Sequence, residues 1–431
     1  MTMLRKLLSK GSFVRSVTVL AGGTALAQVI TVAVSPFLTR LYKPEDFGLL
    51  GAYVAVLGLA VPLASWRYEF AIPLPKSEQE AFNLLILALG TVVVMTALLA
   101  LGIGVFGQRL VVWMKAPALR PYLWLLPVGL LGAGAYQALN YWAVRRQAFA
   151  VIARTKLAQS TGSVGTQLLA GLGVPGPLGL IAGHVVGQVG GSSSLARLVM
   201  RSWPTLGQSI SWEQMRAMAK RYWRFPVFSA SASLFNSATT QVPTLLLTAF
   251  YGADVTGWFI LGQRVLGAPA DLIGNSIGQV YLSEAARLVG TDPVALRRLF
   301  FRTGGRMALI AAAPMLVIMA WGPWLFSRIF GLQWLAAGSY ARLLAVWVFF
   351  GLVISPIASL NVLERQDLFL LWNVGRSILT VGGLFLSHRL GLGPHQAIGV
   401  YSLCMVIAYM AIALLWLLAV QQRIEAVARV H

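Results

Sequence analysis

Long apolar stretches recur along the chain and are separated by short polar connections. Twelve of them can cross a bilayer as helices, since about 20 apolar residues span roughly 30 Å of hydrocarbon. They begin near Val17, Leu49, Leu84, Leu123, Leu157, Leu178, Val227, Val255, Met307, Arg342, Leu368 and Ala397. Irregular backbone in lipid would leave amide groups unpaired. The pattern therefore predicts an all-α polytopic membrane protein with about 12 transmembrane helices.

A motif at the end of the first apolar stretch returns, with changes, in the second half of the chain. Thr39, Tyr42, Gly48 and the earlier Arg15 each have a counterpart 209 residues later. The counterparts are Thr248, Tyr251, Gly257 and Arg224. A constant offset indicates a duplication, which is common in transporters. We therefore expect two pseudo-symmetric six-helix lobes around a central cavity.

The longest polar connection divides the two expected lobes. It carries basic residues and places Met215 and Met218 on one face of a short helix, the pattern of an amphipathic helix on a membrane surface. The sequence thus predicts a lobe over residues 1–205, a cytoplasmic amphipathic linker over 206–224 and a second lobe over 225–431.

Composition and charge agree with this topology. The 431 residues are 58% hydrophobic and 11% charged, with a mean hydropathy of +0.74. With the amino terminus inside, 24 of the 34 Lys and Arg residues fall in cytoplasmic segments and 7 outside. This bias predicts cytoplasmic termini. The formal net charge of +21 is dispersed between spans and faces anionic lipid, so no nucleic-acid partner is expected.

Motifs of catalysis and metal binding are absent from the sequence. There is no phosphate-binding loop and no His-Glu-x-x-His, the four histidines are scattered, and Cys404 is the single cysteine. The connections are too short to hold a catalytic domain. We expect a protein that is not an enzyme and that needs no metal or cofactor.

Polar side chains form a stripe along the eighth span. Arg264, Asp271, Asn275 and Gln279 fall on one face of a helix with 3.6 residues per turn. Polar groups are costly in lipid and usually face protein or water, so the stripe predicts a cavity. A buried ion pair between Arg264 and Asp271 that joins two helices is the alternative.

Three other spans carry similar stripes. The residues are Thr24 and Gln28 in the first span, Asn236 and Thr240 in the seventh, and Asn373 and Arg376 in the eleventh. Hydrogen bonds between neighbouring helices would explain them equally well. The sequence alone does not choose between the two explanations.

Four segments resemble the bacterial polysaccharide transporters, the O-antigen (Wzx-type) oligosaccharide flippases. They are residues 38–48, 67–74, 263–269 and 277–280. That family is similar in fold to the multidrug and toxic compound extrusion transporters and to the lipid II flippases. The resemblance implies alternating-access transport of an undecaprenyl-diphosphate-linked O-antigen or exopolysaccharide unit from the cytoplasmic to the periplasmic leaflet. It implies a bacterial inner membrane location, and a polysaccharide polymerase or chain-length regulator as partner.

Roles for the polar residues follow as hypotheses. Arg264 and Arg376 would attract the diphosphate, because arginine binds phosphate in a bidentate manner, and the amide and hydroxyl stripes would accept sugar hydroxyls. Asp271, the deepest acid, is a candidate for ion coupling. Candidates for a cytoplasmic gate are Arg15, Arg67, Glu69 and Arg224. A multidrug antiporter and a flippase for another lipid-linked precursor remain open, as do the energy source and the sugars carried. We expect a functional monomer.

Overall fold

A computed structural model describes residues 22–173 and 176–428, and in this part of the chain it contains fourteen α-helices. They are α1 (Gly22–Leu41), α2 (Pro44–Ala64), α3 (Glu78–Trp113), α4 (Leu125–Arg145), α5 (Phe149–Gly173), α6 (Leu178–Val189), α7 (Ser192–Leu206), α8 (Trp212–Arg221), α9 (Ser231–Tyr251), α10 (Ala253–Leu288), α11 (Pro293–Phe330), α12 (Leu335–Ile354), α13 (Gln366–Arg389) and α14 (Pro394–Ala428).

Within the described residues, seven helices are long and apolar enough to cross a membrane by themselves: α1, α2, α3, α11, α12, α13 and α14. The protein is therefore a polytopic all-α membrane protein, as the hydrophobic pattern predicts. The other long helices, among them α4, α5, α9 and α10, carry more polar side chains. Such side chains usually face protein or water instead of lipid.

Several helices begin earlier than hydropathy alone predicts. The eleventh helix begins at Pro293, fourteen residues before the expected start at Met307, because the Asp292 side chain accepts a hydrogen bond from the amide of Ala295. The fifth begins at Phe149 instead of near Leu157. The basic residues that the sequence pattern assigns to the preceding loops therefore lie inside helices.

The expected sixth span is two helices, α6 and α7. Between them Gly191 adopts φ +73°, a conformation that side chains disfavour. A Cβ at Gly191 would also lie 2.8 Å from Cα of Thr155 in α5. The break therefore depends on glycine both for its backbone angle and for the close approach to α5.

Two compact units divide the chain, Met1–Gln241 and Val242–His431. In the first, α4 packs against α2, α3 and α6, and α5 pairs with α6; in the second, α12 packs against α10, α11 and α14, and α13 pairs with α14. The helices that follow the repeated motif begin at Pro44 and Ala253, which are 209 positions apart. The repeat in the sequence thus corresponds to a repeat in helix packing.

The repeated motif forms a tight turn between α1 and α2. The Tyr42 hydroxyl donates a hydrogen bond of 2.6 Å to the carbonyl of Gln167 in α5. Burial, and then the Asp46 charge, raise the pKa of Tyr42 to about 12, so the hydroxyl stays a donor at neutral pH. Asp46 in turn accepts from the Lys43 amide at 2.9 Å and caps α2. The turn fixes α1 and α2 against α5.

The linker helix α8 is attached to α3 by one buried amide. Asn83 donates to the carbonyl of Ser209 and to Oε1 of Gln214, and its own oxygen accepts from the Ser211 amide. On α8, the Met218 side chain is buried, whereas Arg216 and Lys220 are exposed. The short helix expected from the spacing is therefore present, and Asn83 sets where it lies.

Helices α11 and α12 approach each other through glycine. A Cβ at Gly338 would lie 2.5 Å from the carbonyl oxygen of Gly322 and 2.6 Å from Cα of Pro323, both backbone atoms. Gly338→Ala is expected to destabilise the protein by about 1–3 kcal/mol, since overpacked helices must separate. The melting temperature in detergent measures this. Gly305→Ala, where nothing lies within 4 Å, is the control and should be neutral or stabilising. Equal melting temperatures for both variants would contradict the prediction.

Candidate functional site

A cavity of about 400 Å³ lies within the carboxyl-terminal unit, between α10, α12 and α14. We call it the carboxyl-terminal cavity. Its lining residues are Gly267, Ala270, Asp271, Gly274, Asn275, Gly278, Gln279, Leu282, Trp347, Val348, Gly351, Leu352, Ser355, Pro356, Ser359 and Tyr409. Its size is within the roughly 300–1,000 Å³ typical of small-molecule sites.

The α10 wall of this cavity combines polar side chains with glycines. Asp271, Asn275 and Gln279 follow one another at intervals of four residues and are all exposed in the described structure. Small residues lie beside them, and a Cβ at Gly278 would lie 3.3 Å from Pro356. The glycine face packs closely and leaves the three polar groups accessible. The structure thus brings together three of the four stripe residues.

The opposite wall is aromatic. Trp347 and Tyr409 stack with ring centroids 6.4 Å apart and planes 5° from parallel. Tyr409 also packs over Gly351, where a Cβ would lie 3.1 Å from its ring. The cavity therefore has one hydrogen-bonding wall and one apolar wall, a combination that suits a ring with both hydroxyl groups and C–H faces.

Arg376 lies behind Tyr409, not in the lining. Its guanidinium sits 4.5 Å from the ring centroid of Trp372, donates to Oδ1 of Asn373 at 3.3 Å, and interacts electrostatically with the Tyr409 side chain. Among the described residues it forms no ion pair, and its buried Nε has no hydrogen-bond partner. A guanidinium in this position is a cation without a balancing carboxylate.

Charges of both signs act on Tyr409. The Asp271 carboxylate interacts electrostatically with Tyr409, as does the Arg376 guanidinium. Asp271 is the one carboxylate among the lining residues, all of which the structure describes. The cavity therefore has one acidic group in its lining, and one basic group interacts with the lining through Tyr409.

Arg264 occupies a different place from the rest of its stripe. It lies on α10 seven residues, about two helical turns, before Asp271 and is half-buried. It is not among the lining residues of the carboxyl-terminal cavity. Arg376, the other arginine proposed to attract a diphosphate, interacts with Tyr409 of the lining.

The remaining stripe residues occupy varied surroundings. Asn236 and Thr240 are exposed on α9, and the Thr240 hydroxyl donates to the carbonyl of Ser237 at 3.0 Å. Asn373 donates to the carbonyl of Phe369 at 2.9 Å while accepting from Arg376. Intrahelical bonds of this kind satisfy much of their hydrogen-bonding capacity.

The α1 stripe runs along α5. Thr24 is exposed and Gln28 is half-buried, and the hydroxyl of Thr31, one helical turn further on, lies 3.1 Å from the Ser160 hydroxyl of α5. Ser160 donates to the carbonyl of Ala27 at 2.9 Å. At this point the stripe serves helix–helix hydrogen bonding.

Three of the four gate candidates lie in described parts of the chain, and Arg15 lies outside the described residues. Arg224 is exposed just before a π-helical turn, Phe225–Ala230. Arg67 and Glu69 form an ion pair of 3.3 Å, and the fully buried Glu69 also accepts from the Ser65 hydroxyl. Removing one partner of such a pair would leave an unbalanced buried charge.

Sequence reasoning missed the aromatic wall and Arg376's connection to it. Trp347 and Tyr409 lie in largely apolar spans, where an aromatic side chain alone does not indicate a cavity. Ser355 and Ser359, four residues apart at the end of the tenth span, are the available signal. In the described parts of the chain no group of three His, Cys, Asp or Glu side chains is placed to hold a metal ion.

Two sequence comparisons give related proteins. Residues 37–339 match the model of a family described as polysaccharide biosynthesis protein. A segment of 202 residues is 24% identical to the teichuronic acid biosynthesis protein TuaB of Bacillus subtilis (strain 168). That segment covers 46% of this chain and 41% of TuaB, so less than half of TuaB is matched.

Solved structures with this fold include two kinds of transporter. The lipid II flippase MurJ, in an inward closed conformation, matches with a TM-score of 0.70 at 12% identity, over 93% of this chain and 90% of that one. An inward-facing multidrug resistance MATE family transporter of the MOP superfamily matches with a TM-score of 0.61 at 14% identity, over 95% of both chains. At these identities the likeness shows the fold alone.

Proposed function

Because the chain belongs to the polysaccharide biosynthesis protein family, we propose that it is a flippase for a lipid-linked oligosaccharide. Its substrate is an undecaprenyl-diphosphate-linked O-antigen or exopolysaccharide unit, moved from the cytoplasmic to the periplasmic leaflet by alternating access. The observation that carries this proposal is Arg376, a membrane-embedded cation that forms no ion pair among the described residues and contacts a cavity wall. Ionisable groups inside membranes usually serve transport.

The chemistry of the cavity supports a glycan attached to an anion. Asn275 and Gln279 offer amide donors and acceptors to sugar hydroxyls, and the Trp347 and Tyr409 rings offer an apolar face. Arg376, together with Arg264, attracts the diphosphate. Asn373, Asn236, Thr240, Thr24 and Gln28 extend the polar surface along the transport route. The polyprenyl chain stays in lipid, so only the head group needs a polar path.

Other features of the proposal concern the cellular setting. The protein works as a monomer in the bacterial inner membrane, with both termini in the cytoplasm, and delivers its product to a polysaccharide polymerase or chain-length regulator. Residues 1–205 and 225–431 act as the two lobes, joined by the linker of residues 206–224. Arg67, Glu69 and Arg224, with Arg15, belong to the cytoplasmic gate. The protein carries out no covalent chemistry.

Reconstitution tests the function directly. Proteoliposomes that contain the purified protein and a fluorescent polyprenyl-diphosphate oligosaccharide are expected to move the glycan between leaflets within minutes, as measured by its accessibility to a membrane-impermeant lectin. Protein-free vesicles are the control, because a polar head group crosses lipid very slowly. Proton-dependent efflux of a cationic dye, with no glycan movement, would instead identify a multidrug antiporter.

A further inference from the structure

A second cavity, of about 520 Å³, lies within the amino-terminal unit, and we call it the amino-terminal cavity. Its walls come from α4, α5 and α6 and from the segment after α2. The residues used below are Arg67, Tyr136, Gln137, Asn140, Lys156 and Gln159. We propose that this cavity binds a sugar that carries a carboxylate, that is, a uronic acid residue of the transported glycan. The inference rests on the proposed function and adds a substrate class to it.

The charges around the cavity favour a ligand that carries a single negative charge. Arg67 is neutralised by its 3.3 Å ion pair with Glu69. Lys156 forms no ion pair among the described residues, and its Nζ lies 4.8 Å from the ring centroid of Tyr136. A cation–π contact positions an ammonium group without neutralising it. The cavity therefore has one unbalanced positive charge. This charge balances one carboxylate but not the negative charge of a diphosphate.

Three of the lining residues carry buried polar atoms without partners among the described residues. Oδ1 of Asn140, the Tyr136 hydroxyl and Nε of Arg67 are buried and have no hydrogen-bond partner among the described residues. Each such group is costly to leave unpaired unless a ligand or water meets it. Gln137 and Gln159 add amides to this set. Amides both donate and accept, which is what vicinal sugar hydroxyls require.

An aromatic surface completes the cavity. Phe70 and Tyr141, both in the lining, meet edge to face with centroids 5.0 Å apart, and the Arg67 guanidinium lies 4.9 Å from the Phe70 centroid. Arg67 is held at φ +62°, a left-handed conformation that non-glycine residues rarely adopt. The surrounding contacts hold this strained residue where its guanidinium covers Phe70.

Helical spacing explains why these residues meet. Gln137, Asn140 and Tyr141 lie at i, i+3 and i+4 on α4, and Lys156 and Gln159 lie at i and i+3 on α5. The sequence pattern counts Lys156 as a loop cation, whereas the early start of α5 carries it into the cavity.

Binding of simple sugars to the purified full-length protein tests the inference. Saturation-transfer NMR with methyl β-glucuronide and methyl β-glucoside as probes is expected to show glucuronide binding about tenfold tighter or more, since a charge-assisted hydrogen bond contributes at least 1.5 kcal/mol. Lys156→Gln should remove this preference and Lys156→Arg should keep it. Lys76→Gln, the same change at an exposed lysine, is the control.

A second variant separates folding from recognition. Asn140→Ala should weaken the binding of both sugars to a similar extent. The melting temperature of this variant shows whether the protein is folded. Equal affinity for the two sugars in the wild type, an unchanged preference in Lys156→Gln, or displacement of glucuronide by lower concentrations of inorganic pyrophosphate would overturn the proposal. Sugar binding is measured without transport. A protein that prefers the glucuronide but does not flip glycan would therefore count against the proposed function alone.

Discussion

Arg376→Ala is expected to reduce glycan export to a few per cent of wild type, whereas Arg389→Ala should leave it unchanged. The two arginines lie on α13, and each guanidinium covers an aromatic ring four residues earlier, Trp372 and Phe385. They differ in surroundings, since Arg389 is exposed and Arg376 is half-buried beside Tyr409. The pair therefore separates the effect of position from the effect of losing an arginine.

The size of the effect follows from the charge. A hydrogen bond to an ionised group contributes about 1.5–3 kcal/mol, which corresponds to about 10- to 100-fold in affinity. Arg376→Lys keeps the charge but loses the planar guanidinium that covers the Trp372 ring, so partial activity is expected.

Complementation of a deletion strain measures the result as surface glycan, with membrane levels of each variant determined by immunoblot. Normal glycan with Arg376→Ala at wild-type protein levels would refute a role for this residue in substrate binding. Reduced glycan with Arg389→Ala as well would indicate a general need for positive charge on α13. The reconstituted flipping assay then distinguishes a defect in transport from one in delivery to later steps.

The sequence predicts the architecture because few residue patterns satisfy a bilayer. Continuous apolar runs specify helices, and the offset of 209 between Tyr42 and Tyr251 anticipates the matching packing around α4 and α12. The family resemblance read from the motifs is confirmed by the family match over residues 37–339. The first residue of each helix is predicted less well, because it is set by capping residues such as Asp292 and not by hydropathy.

The candidate site is only partly predictable because helical spacing describes one helix at a time. It groups Asp271, Asn275 and Gln279 correctly, since all three share the α10 face that lines a cavity. It cannot show that Tyr409, from a distant part of the chain, stands between this face and Arg376. Contacts between helices depend on packing, for which single-helix periodicity carries no information.

Membrane potential alone is expected to drive export of the glycan. A diphosphate carries roughly two negative charges, and moving each out of a negative interior is favoured by ~2.3 kcal/mol per 100 mV. Two charges give ~4.6 kcal/mol, or a distribution ratio on the order of 2,000. Collapsing the potential with valinomycin and potassium, while a pH gradient is kept, should therefore stop accumulation of glycan in the outer leaflet of proteoliposomes.

Asp271 is the group that distinguishes this scheme from ion exchange. If protons or sodium ions drive transport, the carboxylate must load and release the ion, and Asp271→Asn should abolish accumulation. If the potential drives transport, accumulation of glycan by the Asp271→Asn variant should still depend on the potential. Removing a negative charge near Tyr409 does not oppose an anionic substrate. Asp367→Asn, which breaks an exposed ion pair with Arg365, is the matched control. Accumulation that survives loss of the potential but requires both the pH gradient and Asp271 would establish Asp271 as the coupling residue and exclude potential-driven export.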